Sequence, residues 1–331
     1  MKNTQIVLAS RPEGWVKKEN FRTVETSLPD LAAGQILLKN LYLSLDPYMR
    51  GRMNATHSYA ASVEIGQVMV GETVAEVVES RNESFKVGST VAAYAGWQQY
   101  LISDGSNLRP VDPKLVPLSA YLGVVGMPGV TAWYGLLKIG EPKAGETVLV
   151  SAASGAVGGV VGQIAKLKGC HVIGIAGGPK KCEYVVKELS FDACIDHHAP
   201  DVAGALAAAA PKGFDVYFDN VGGPILDAVL LQCNPFSRIP ICGQISDYNA
   251  TERYGVRNLA AALWKRIKMQ GFIISDHRDI WPEAQQQLAG WVRDGKIKYR
   301  ESVTQGLENA PEAFIGLFKG ENFGKVIVKL A

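Results

Sequence analysis

The segment SGAVGG (154–159) carries the clearest chemistry in this chain of 331 residues. It follows the apolar, β-branched run TVLVSA (147–152) and precedes apolar residues at helical spacing, which predicts a strand, a turn and a helix. On the pattern G-x-G-x-x-G, the glycine positions fall on Ala153, Gly155 and Gly158. Gly155 would let the backbone approach a pyrophosphate, and Gly158 would let the helix pack closely on the strand. Because the N-terminus of a helix attracts phosphate, the segment predicts a dinucleotide site.

The residues after the next apolar run, HVIGIA (171–176), bear on which dinucleotide is bound. NAD sites usually place an Asp or Glu at this point to hold the ribose 2′-hydroxyl. This chain has GGP (177–179) there, followed by Lys180 and Lys181. A carboxylate would repel a 2′-phosphate and a lysine attracts it, so the sequence favours NADP(H). The alternative is that both lysines are solvent-exposed side chains of the next helix and bind no phosphate.

Other kinds of reactive site lack their motifs in this sequence. GEPKAGET (140–147) has the glycine spacing of a Walker A loop, but Glu146 stands where the phosphate-binding lysine belongs. Neither G-x-S-x-G nor H-E-x-x-H occurs. His197 and His198 are adjacent, so on a strand they would point apart and would not form a metal pair. We therefore predict that a bound dinucleotide supplies the reactivity and that no metal takes part.

The cysteines and histidines lack the spacing of ligand clusters. The cysteines form no C-x-x-C pair, which favours free thiols over a disulfide framework or a structural zinc site. The five cysteines are Cys170, Cys182, Cys194, Cys233 and Cys242, and the five histidines are His57, His171, His197, His198 and His277.

Two patterns of periodicity predict an α/β protein with two domains. Residues 1–125 alternate short strand-like runs with turns, which is typical of a mostly antiparallel, barrel-like domain. Residues 126–298 alternate apolar strands with helices, which predicts a doubly wound parallel sheet. The last residues, 299–331, end in one more strand, GKVIVKL.

Charge and hydropathy exclude several classes of partner. A net charge of +2 with both signs intermixed gives no basic stripe for nucleic acid. The uncharged stretch 118–137 contains four glycines and a proline, so we expect no membrane span. The first residues lack the apolar region of a signal peptide, and we expect a cytoplasmic protein.

Eight blocks, in order from the first third of the chain to its end, resemble the zinc-free medium-chain dehydrogenase/reductases. They are similar to the branch that contains leukotriene B4 dehydrogenases, prostaglandin reductases and bacterial NADPH-dependent curcumin reductases. The blocks are LSLDPYMRGRM (43–53), MPGVTAWYGL (127–136), SAASGAVGGVVGQIAKLKG (151–169), AGGPKKC (176–182), FDNVGG (218–223), ICGQISDYN (241–249), MQGFII (269–274) and ENFGKVIV (321–328).

The resemblance implies a GroES-like domain built from both chain ends and a Rossmann domain between them. It also implies NADPH-dependent reduction of the carbon–carbon double bond of α,β-unsaturated ketones and aldehydes, and a homodimer. By position, Lys181 would hold the 2′-phosphate, and His197 stands where many members have a tyrosine. The other residues implied at the cofactor are Met127, Thr131, Gly155, Ala156, Val157, Gly158, Asn220, Cys242, Gly243, Ile245, Ser246, Tyr248, Phe272, Ile273, Ile274 and Asn322.

Reduction of an enone leaves negative charge on the carbonyl oxygen, which a hydrogen-bond donor must stabilise. Tyr248 and Tyr59 are the candidate donors, with the ribose hydroxyl of the cofactor as a helper, because a tyrosine stays protonated at neutral pH. Tyr48 and Arg50 either border the substrate pocket or belong to a structural turn. Two other functions stay open: a quinone reductase of the same superfamily, and a non-catalytic NADP(H)-binding redox sensor.

Overall fold

The computed structural model describes residues 1–56 and 58–330. The chain divides into two compact units, which we call the terminal unit (residues 1–123 and 301–331) and the central unit (residues 124–300). The sequence patterns place the two junctions between 125 and 126 and between 298 and 299. Each lies two residues from the junction between the units.

The terminal unit is built mainly on a mixed sheet of seven strands. Its order is β14–β15–β3–β4–β5–β7, with β6 also paired with β3, and every pair is antiparallel except β14–β15. β1 and β2 form a separate antiparallel pair. The strands are β1 (Lys2–Leu8), β2 (Phe21–Ser27), β3 (Ile36–Leu45), β4 (Thr73–Ser80), β5 (Thr90–Ala93), β6 (Tyr100–Ser103), β7 (Arg109–Pro110), β14 (Glu301–Gln305) and β15 (Lys325–Lys329), and the helices are α1 (Met49–Arg52) and α9 (Ala310–Phe318).

An aromatic cluster fills part of the core of this unit. The rings of Phe21 and Trp97 stack with centroids 5.4 Å apart, and Phe314 of α9 meets both edge-on. Because Phe314 follows the central unit in the sequence, this core joins residues from both ends of the chain. The arrangement confirms the predicted mostly antiparallel domain of GroES-like type.

The central unit is a parallel sheet of six strands with helices between them. Its order is β10–β9–β8–β11–β12–β13, and every described pair is parallel. The strands are β8 (Thr147–Ser151), β9 (His171–Ala176), β10 (Ala193–Asp196), β11 (Phe214–Phe218), β12 (Cys233–Ile241) and β13 (Lys268–Gly271). The helices are α2 (Met127–Tyr134), α3 (Gly158–Leu167), α4 (Pro179–Lys187), α5 (Val202–Ala209), α6 (Gly223–Leu230), α7 (Ala260–Trp264) and α8 (Trp281–Arg293).

The strand order confirms the predicted Rossmann fold. The order reverses between β8 and β11, and ligands of such sheets bind outside the carboxyl ends of the strands at that point. The central strands β8, β9 and β11 are buried on both faces, as the fully buried Val148, Ile173 and Tyr217 illustrate. This is why their sequences read as continuous apolar runs rather than as an alternation.

The uncharged stretch 118–137 does not form one long helix. It contains a 3₁₀ turn (Leu118–Leu122) and α2, which continues directly into a π-helix (Gly135–Gly140). Within residues 1–56 and 58–330, no helix has the length and apolar character needed to cross a membrane.

Candidate active site

The turn between β8 and α3 packs so tightly that only glycine fits at its end. A Cβ on Gly158 would lie 2.4 Å from the carbonyl oxygen of Ala152, a backbone atom that cannot move away. A Cβ on Gly155 would meet that oxygen at 3.1 Å and no other atom within 4 Å. Val157, at the N-cap of α3, makes no side-chain capping hydrogen bond. The turn thus offers an open backbone surface and an uncapped helix N-terminus, both of which suit a pyrophosphate.

The loop after β9 places one lysine in a sheltered position. Gly178 has a φ of +84°, a conformation that favours glycine, and α4 begins at the next residue. Lys180 is exposed, whereas Lys181 is half-buried, and burial lowers the pKa of its ammonium group. A cation partly removed from water gains more from an anionic partner than an exposed one does. Of the two lysines, Lys181 therefore has the better environment for a 2′-phosphate.

His197 and His198 correct one expectation drawn from the sequence. β10 ends at Asp196, so both histidines lie on the turn that follows and not on a strand. Their ring centroids are 4.1 Å apart, with the planes tilted by 54°. The expectation that adjacent side chains point apart was wrong here because it holds only for extended backbone. A Cβ on Gly177 would lie 2.9 Å from His197 Nε2, which puts this imidazole against the end of β9.

A carboxylate that the sequence analysis did not single out also lies at the end of β9. Asp196 comes from the neighbouring strand, and its Oδ1 accepts the backbone N–H groups of Gly178 (2.8 Å) and His198 (3.0 Å). These hydrogen bonds hold the pKa of the Asp196 carboxyl below its usual value, so the group is ionised at neutral pH. The sequence signal was the place of Asp196 at the end of a strand next to β9.

Asp219 and Asn220 connect the carboxyl ends of three strands. The Asn220 side chain donates to the carbonyl of Ser151 at the end of β8 (2.7 Å), and its backbone N–H donates to Ser151 Oγ (2.9 Å). The Asp219 carbonyl accepts the N–H groups of Cys242 (2.8 Å) and Gly243 (3.2 Å), which follow β12. These hydrogen bonds fix the positions of the glycine turn and the loop after β12 at the centre of the sheet.

The carboxylate of Asp219 is fully buried and supports the same loop. Its Oδ1 accepts the Tyr217 hydroxyl (2.7 Å) and the N–H groups of Val221 (3.0 Å) and Gly222 (2.9 Å). Burial raises the pKa of this carboxyl. Sequence reasoning did not identify Asp219, because nothing in FDNVGG distinguishes a buried structural carboxylate from an exposed one.

The loop after β12 brings the Tyr248 hydroxyl back over its own backbone. That oxygen lies 3.2 Å from the position of a Cβ on Gly243, and the backbone N–H of Gln244 hydrogen-bonds to it. Burial raises the pKa of Tyr248, so the hydroxyl keeps its proton at neutral pH. With its oxygen accepting from Gln244, the hydroxyl can direct its own proton to a ligand.

The neighbours of Tyr248 in the loop form a short 3₁₀ turn (Ile245–Asp247). The Ile245 N–H donates to the Asn220 carbonyl (3.4 Å), and Ser246 Oγ donates to the Val221 carbonyl (2.7 Å). Burial raises the pKa of the Cys242 thiol to about 12, with the Asp219 carboxylate adding to it. Cys242 is therefore a thiol at neutral pH and is unsuited to act as a nucleophile.

Two further segments of the central unit hold predicted cofactor residues. Thr131 is buried in α2, and its hydroxyl donates to the Met127 carbonyl (2.7 Å).

The Phe272 ring lies 5.6 Å from Tyr134 and 6.3 Å from Phe218, measured between ring centroids. Ile273 is half-buried and Ile274 is buried. These contacts fix the Phe272 segment against the π-helix that follows α2, since a Cβ on Gly135 would come within 2.5 Å of Phe272.

The terminal unit contains the remaining predicted residues. The Tyr48 hydroxyl lies 3.0 Å from that of Tyr94, which the Arg52 side chain also contacts by a hydrogen bond. Burial raises the pKa of Tyr48 well above its usual value. Tyr59 is 61% exposed. Tyr94 was not singled out in the sequence, because only the fold pairs it with Tyr48.

Arg50 and Asn322 make contacts within the terminal unit itself. The Arg50 guanidinium is buried and donates to the carbonyls of Pro12 (3.3 Å) and Gly14 (2.9 Å). These are the contacts expected of the structural alternative for Arg50. The Asn322 amide donates to the carbonyl of Gly324 (2.9 Å), just before β15.

Comparison with known proteins identifies the family. A model of the N-terminal domain of oxidoreductases matches residues 4–111, and a model named zinc-binding dehydrogenase matches residues 156–290. NADPH-dependent curcumin reductase of Escherichia coli (strain K12) is 52% identical over 336 residues, which cover 100% of this chain and 97% of that protein. The chain belongs to the medium-chain dehydrogenase/reductase family. Prostaglandin reductase 1 of Rattus norvegicus is 46% identical over 323 residues, 96% of each chain.

A solved structure shares the fold over nearly the whole length of the chain. The crystal structure of CurA from Vibrio vulnificus in complex with NADPH superposes with a TM-score of 0.95 and 52% sequence identity, covering 99% of both chains. The residues of this chain fit such a cofactor. The glycine turn leaves its backbone open, the helix after it is uncapped, and a half-buried lysine follows β9.

The name of the second family model raises the question of a metal. Within the described part of the chain, no three His, Cys, Asp or Glu side chains are grouped so as to hold a metal ion. His57 lies outside the described residues. All five cysteines are free thiols. Metal independence stays a prediction.

Proposed function

We propose that this protein is an NADPH-dependent reductase of the carbon–carbon double bond of α,β-unsaturated ketones and aldehydes. The observation that carries the proposal is the Tyr248 hydroxyl. It is protonated, accepts from the Gln244 N–H and lies beside Gly243 at the carboxyl edge of the parallel sheet. The curcumin and prostaglandin reductases among its relatives support the same class of reaction.

When bound, NADPH supplies a hydride, and the chain supplies position and hydrogen bonds. The glycine turn (Gly155 to Gly158) holds the pyrophosphate, and Lys181 holds the 2′-phosphate. Asn220 hydrogen-bonds to Ser151, which precedes the glycine turn, and its carbonyl accepts from the Ile245 N–H in the loop of Tyr248. This connection keeps both ends of the cofactor site in one geometry, which is what a near-attack arrangement requires.

Tyr248 is proposed to donate a hydrogen bond to the carbonyl oxygen of the enone. Negative charge grows on that oxygen as the β-carbon is reduced, so a donor placed there lowers the barrier. A donor must not release its proton at working pH, and burial raises the pKa of Tyr248 in the required direction. Tyr48 and Tyr59 stay candidate residues for binding the substrate.

The reaction is tested by following NADPH absorbance with a panel of enones, enals, quinones and saturated ketones. We expect turnover with enones and enals, and products that gain two hydrogens while the carbonyl group remains in the mass and NMR spectra. Turnover of quinones alone would favour the quinone reductase. NADPH binding without turnover of any acceptor would favour the sensor.

We also propose a homodimer formed at the free edge of the central sheet, and a cytoplasmic location. β13 ends the sheet order and pairs only with β12 among the described strands. Exposed apolar side chains occur within β12, at Phe236 (66% exposed), and in α7, which precedes β13, at Leu263 (77%) and Trp264 (66%). An exposed edge with apolar neighbours is a surface that proteins usually cover. The five free thiols suit a reducing compartment.

A further inference from the structure

Two imidazole rings and a carboxylate form a compact group at the end of β10. The His197 and His198 rings lie 4.1 Å apart, and His198 Nδ1 lies 3.3 Å from Asp196 Oδ1. The same Asp196 oxygen accepts two backbone N–H groups, those of Gly178 and His198. Asp196 thereby fixes both the loop after β9 and the position of the second imidazole.

This group lies where the fold places the 2′ substituent of a dinucleotide. That substituent binds at the end of the second strand of the Rossmann sheet, which is β9. His197 Nε2 is 2.9 Å from the position of a Cβ on Gly177, the first residue after β9. The positive charge of Lys181 acts on the same imidazole from α4. The two imidazole rings therefore lie together at the end of β9, and Lys181 belongs to the helix that begins just after it.

We propose that the His197–His198 pair binds the 2′-phosphate of NADP(H) by taking up one proton, so that selection of NADPH over NADH depends on pH. This inference rests on the proposed function, because it takes NADPH to be the cofactor. It adds His198 and Asp196 to the site and gives the pair a role that a tyrosine at position 197 would not have.

The charges around the pair explain why a proton is taken up only on binding. Burial lowers the pKa of His197, His198 and Lys181 lower it further, and Asp196 opposes them, so the ring is neutral at pH 7. A 2′-phosphate brings about two negative charges, which favour an imidazolium. Two imidazolium rings 4.1 Å apart would repel each other, so the pair takes one proton between them.

The proton that the imidazole pair takes up also acts on the negative charge of Asp196. Its ionised carboxylate would repel a 2′-phosphate, as the Asp or Glu of an NAD site does. A proton on the adjacent imidazole pair offsets that charge. Since a proton is bound together with the ligand, affinity for the 2′-phosphate should fall as the pH rises from about 6.5 to 8, by up to about tenfold per pH unit. Below about pH 6 the phosphate itself takes up a proton, so its affinity should not rise further as the pH falls.

The test measures binding of two nucleotides by isothermal titration calorimetry, with no reaction involved. Adenosine 2′,5′-bisphosphate carries the 2′-phosphate, and ADP does not. Each is titrated into the full-length protein from pH 6.5 to 8, in pairs of buffers that differ in ionisation enthalpy. We expect the 2′-phosphate ligand to draw about half to one proton more than ADP at pH 7. Its affinity should also fall more steeply with pH.

His197→Gln and His198→Gln, singly and together, keep a polar side chain but cannot take up a proton. The double variant should lose the additional proton uptake and the steeper pH dependence. Lys181→Ala is the matched control: it should weaken binding of the 2′-phosphate ligand at every pH and leave most of the proton uptake in place, because Lys181 has the smallest effect of the groups that act on the pKa of His197. Circular dichroism checks that each variant folds.

The outcomes separate this inference from the proposed function. If the 2′-phosphate ligand binds no tighter than ADP to the parent, the assignment of NADPH itself fails. If it binds tighter but draws no more protons than ADP, or if the double variant retains the uptake, the histidine inference is overturned and NADPH stands.

Discussion

Tyr248 combines the two properties that a hydrogen-bond donor to a developing oxyanion needs. Its pKa is raised by burial, and its oxygen already accepts from the Gln244 N–H, so its proton can be directed outward. Replacing Tyr248 by Phe removes one hydroxyl and keeps the ring. We expect kcat for an enone to fall by about 10²-fold or more, with little change in NADPH affinity.

Tyr254→Phe is the control for this experiment. It also removes a tyrosine hydroxyl of the central unit, but one that donates to Asp227 of α6 (2.7 Å). It should leave kcat close to that of the parent. An unchanged kcat in Tyr248→Phe would remove the role of Tyr248, and a much smaller loss that deepens when Tyr59→Phe is added would shift the charge stabilisation to Tyr59.

The proposed role of Lys181 is tested by comparing NADPH with NADH as the cofactor. Lys181→Ala should raise the apparent KM for NADPH by about tenfold to a hundredfold, equivalent to about 1.4 to 2.8 kcal/mol, and leave that for NADH unchanged. Lys180→Ala is the matched control, because Lys180 is exposed and precedes it in the same helix. Steady-state kinetics with both cofactors provide the measurement. Equal preference for NADPH over NADH in the Lys181 variant and the parent would contradict the assignment.

At the scale of the element, the close packing at the start of α3 requires that residue 158 be glycine. Gly158→Ala would place a methyl group 2.4 Å from the Ala152 carbonyl oxygen, so the helix or the turn must move. We expect a loss of about 1 to 3 kcal/mol in unfolding free energy, as for overpacked cores, and weaker NADPH binding. Thermal unfolding and cofactor titration measure the two effects.

Gly290→Ala controls for the loss of a glycine as such. Gly290 lies within α8, and a Cβ there would meet no atom within 4 Å. Alanine is the better helix former, so this variant should be as stable as the parent or slightly more so, with unchanged cofactor affinity. If Gly158→Ala behaved in the same way, the glycine turn would not be as closely packed as described.

At the scale of the whole molecule, the proposed dimer has a mass of twice 35.6 kDa. Light scattering at micromolar concentration should report that mass for the parent. Leu263→Glu places a charge on the apolar surface near the free edge of the sheet and should shift the protein towards the monomer. Val87→Glu, at an apolar side chain of the terminal unit with 64% exposure, should leave the mass unchanged. A monomeric parent would contradict the proposal.

Metal independence also concerns the molecule as a whole, because a site could draw ligands from distant parts of the chain. The histidines and cysteines lack ligand spacing in the sequence, and the described residues contain no ligand cluster. We expect activity to survive prolonged treatment with a chelator. Elemental analysis should find less than one zinc per chain, and a tightly held equimolar zinc would show that the prediction is wrong.

The sequence by itself determined the elements of the central unit. The six parallel strands lie within or overlap the runs that the sequence predicts as strands: TVLVSA (147–152), HVIGIA (171–176), CIDH (194–197), VYFDNV (216–221), RIPICG (238–243) and KMQGFII (268–274). The glycine turn stands between β8 and α3 as its motif indicates. These features are local, since hydrophobic periodicity and glycine spacing act within about twenty residues. The resemblance of eight blocks to a known family also predicted how the two domains are arranged along the chain.

Only the tertiary structure decided which distant side chains meet. Asp196 at the end of β10 accepts from Gly178 beyond β9, and the turn after it brings His197 and His198 within 4.1 Å of each other. Tyr94 pairs with Tyr48 across 46 residues in the same way. The physical reason is that a sequence pattern reports which face of an element is apolar, whereas these contacts depend on strand order and on turns without a repeat.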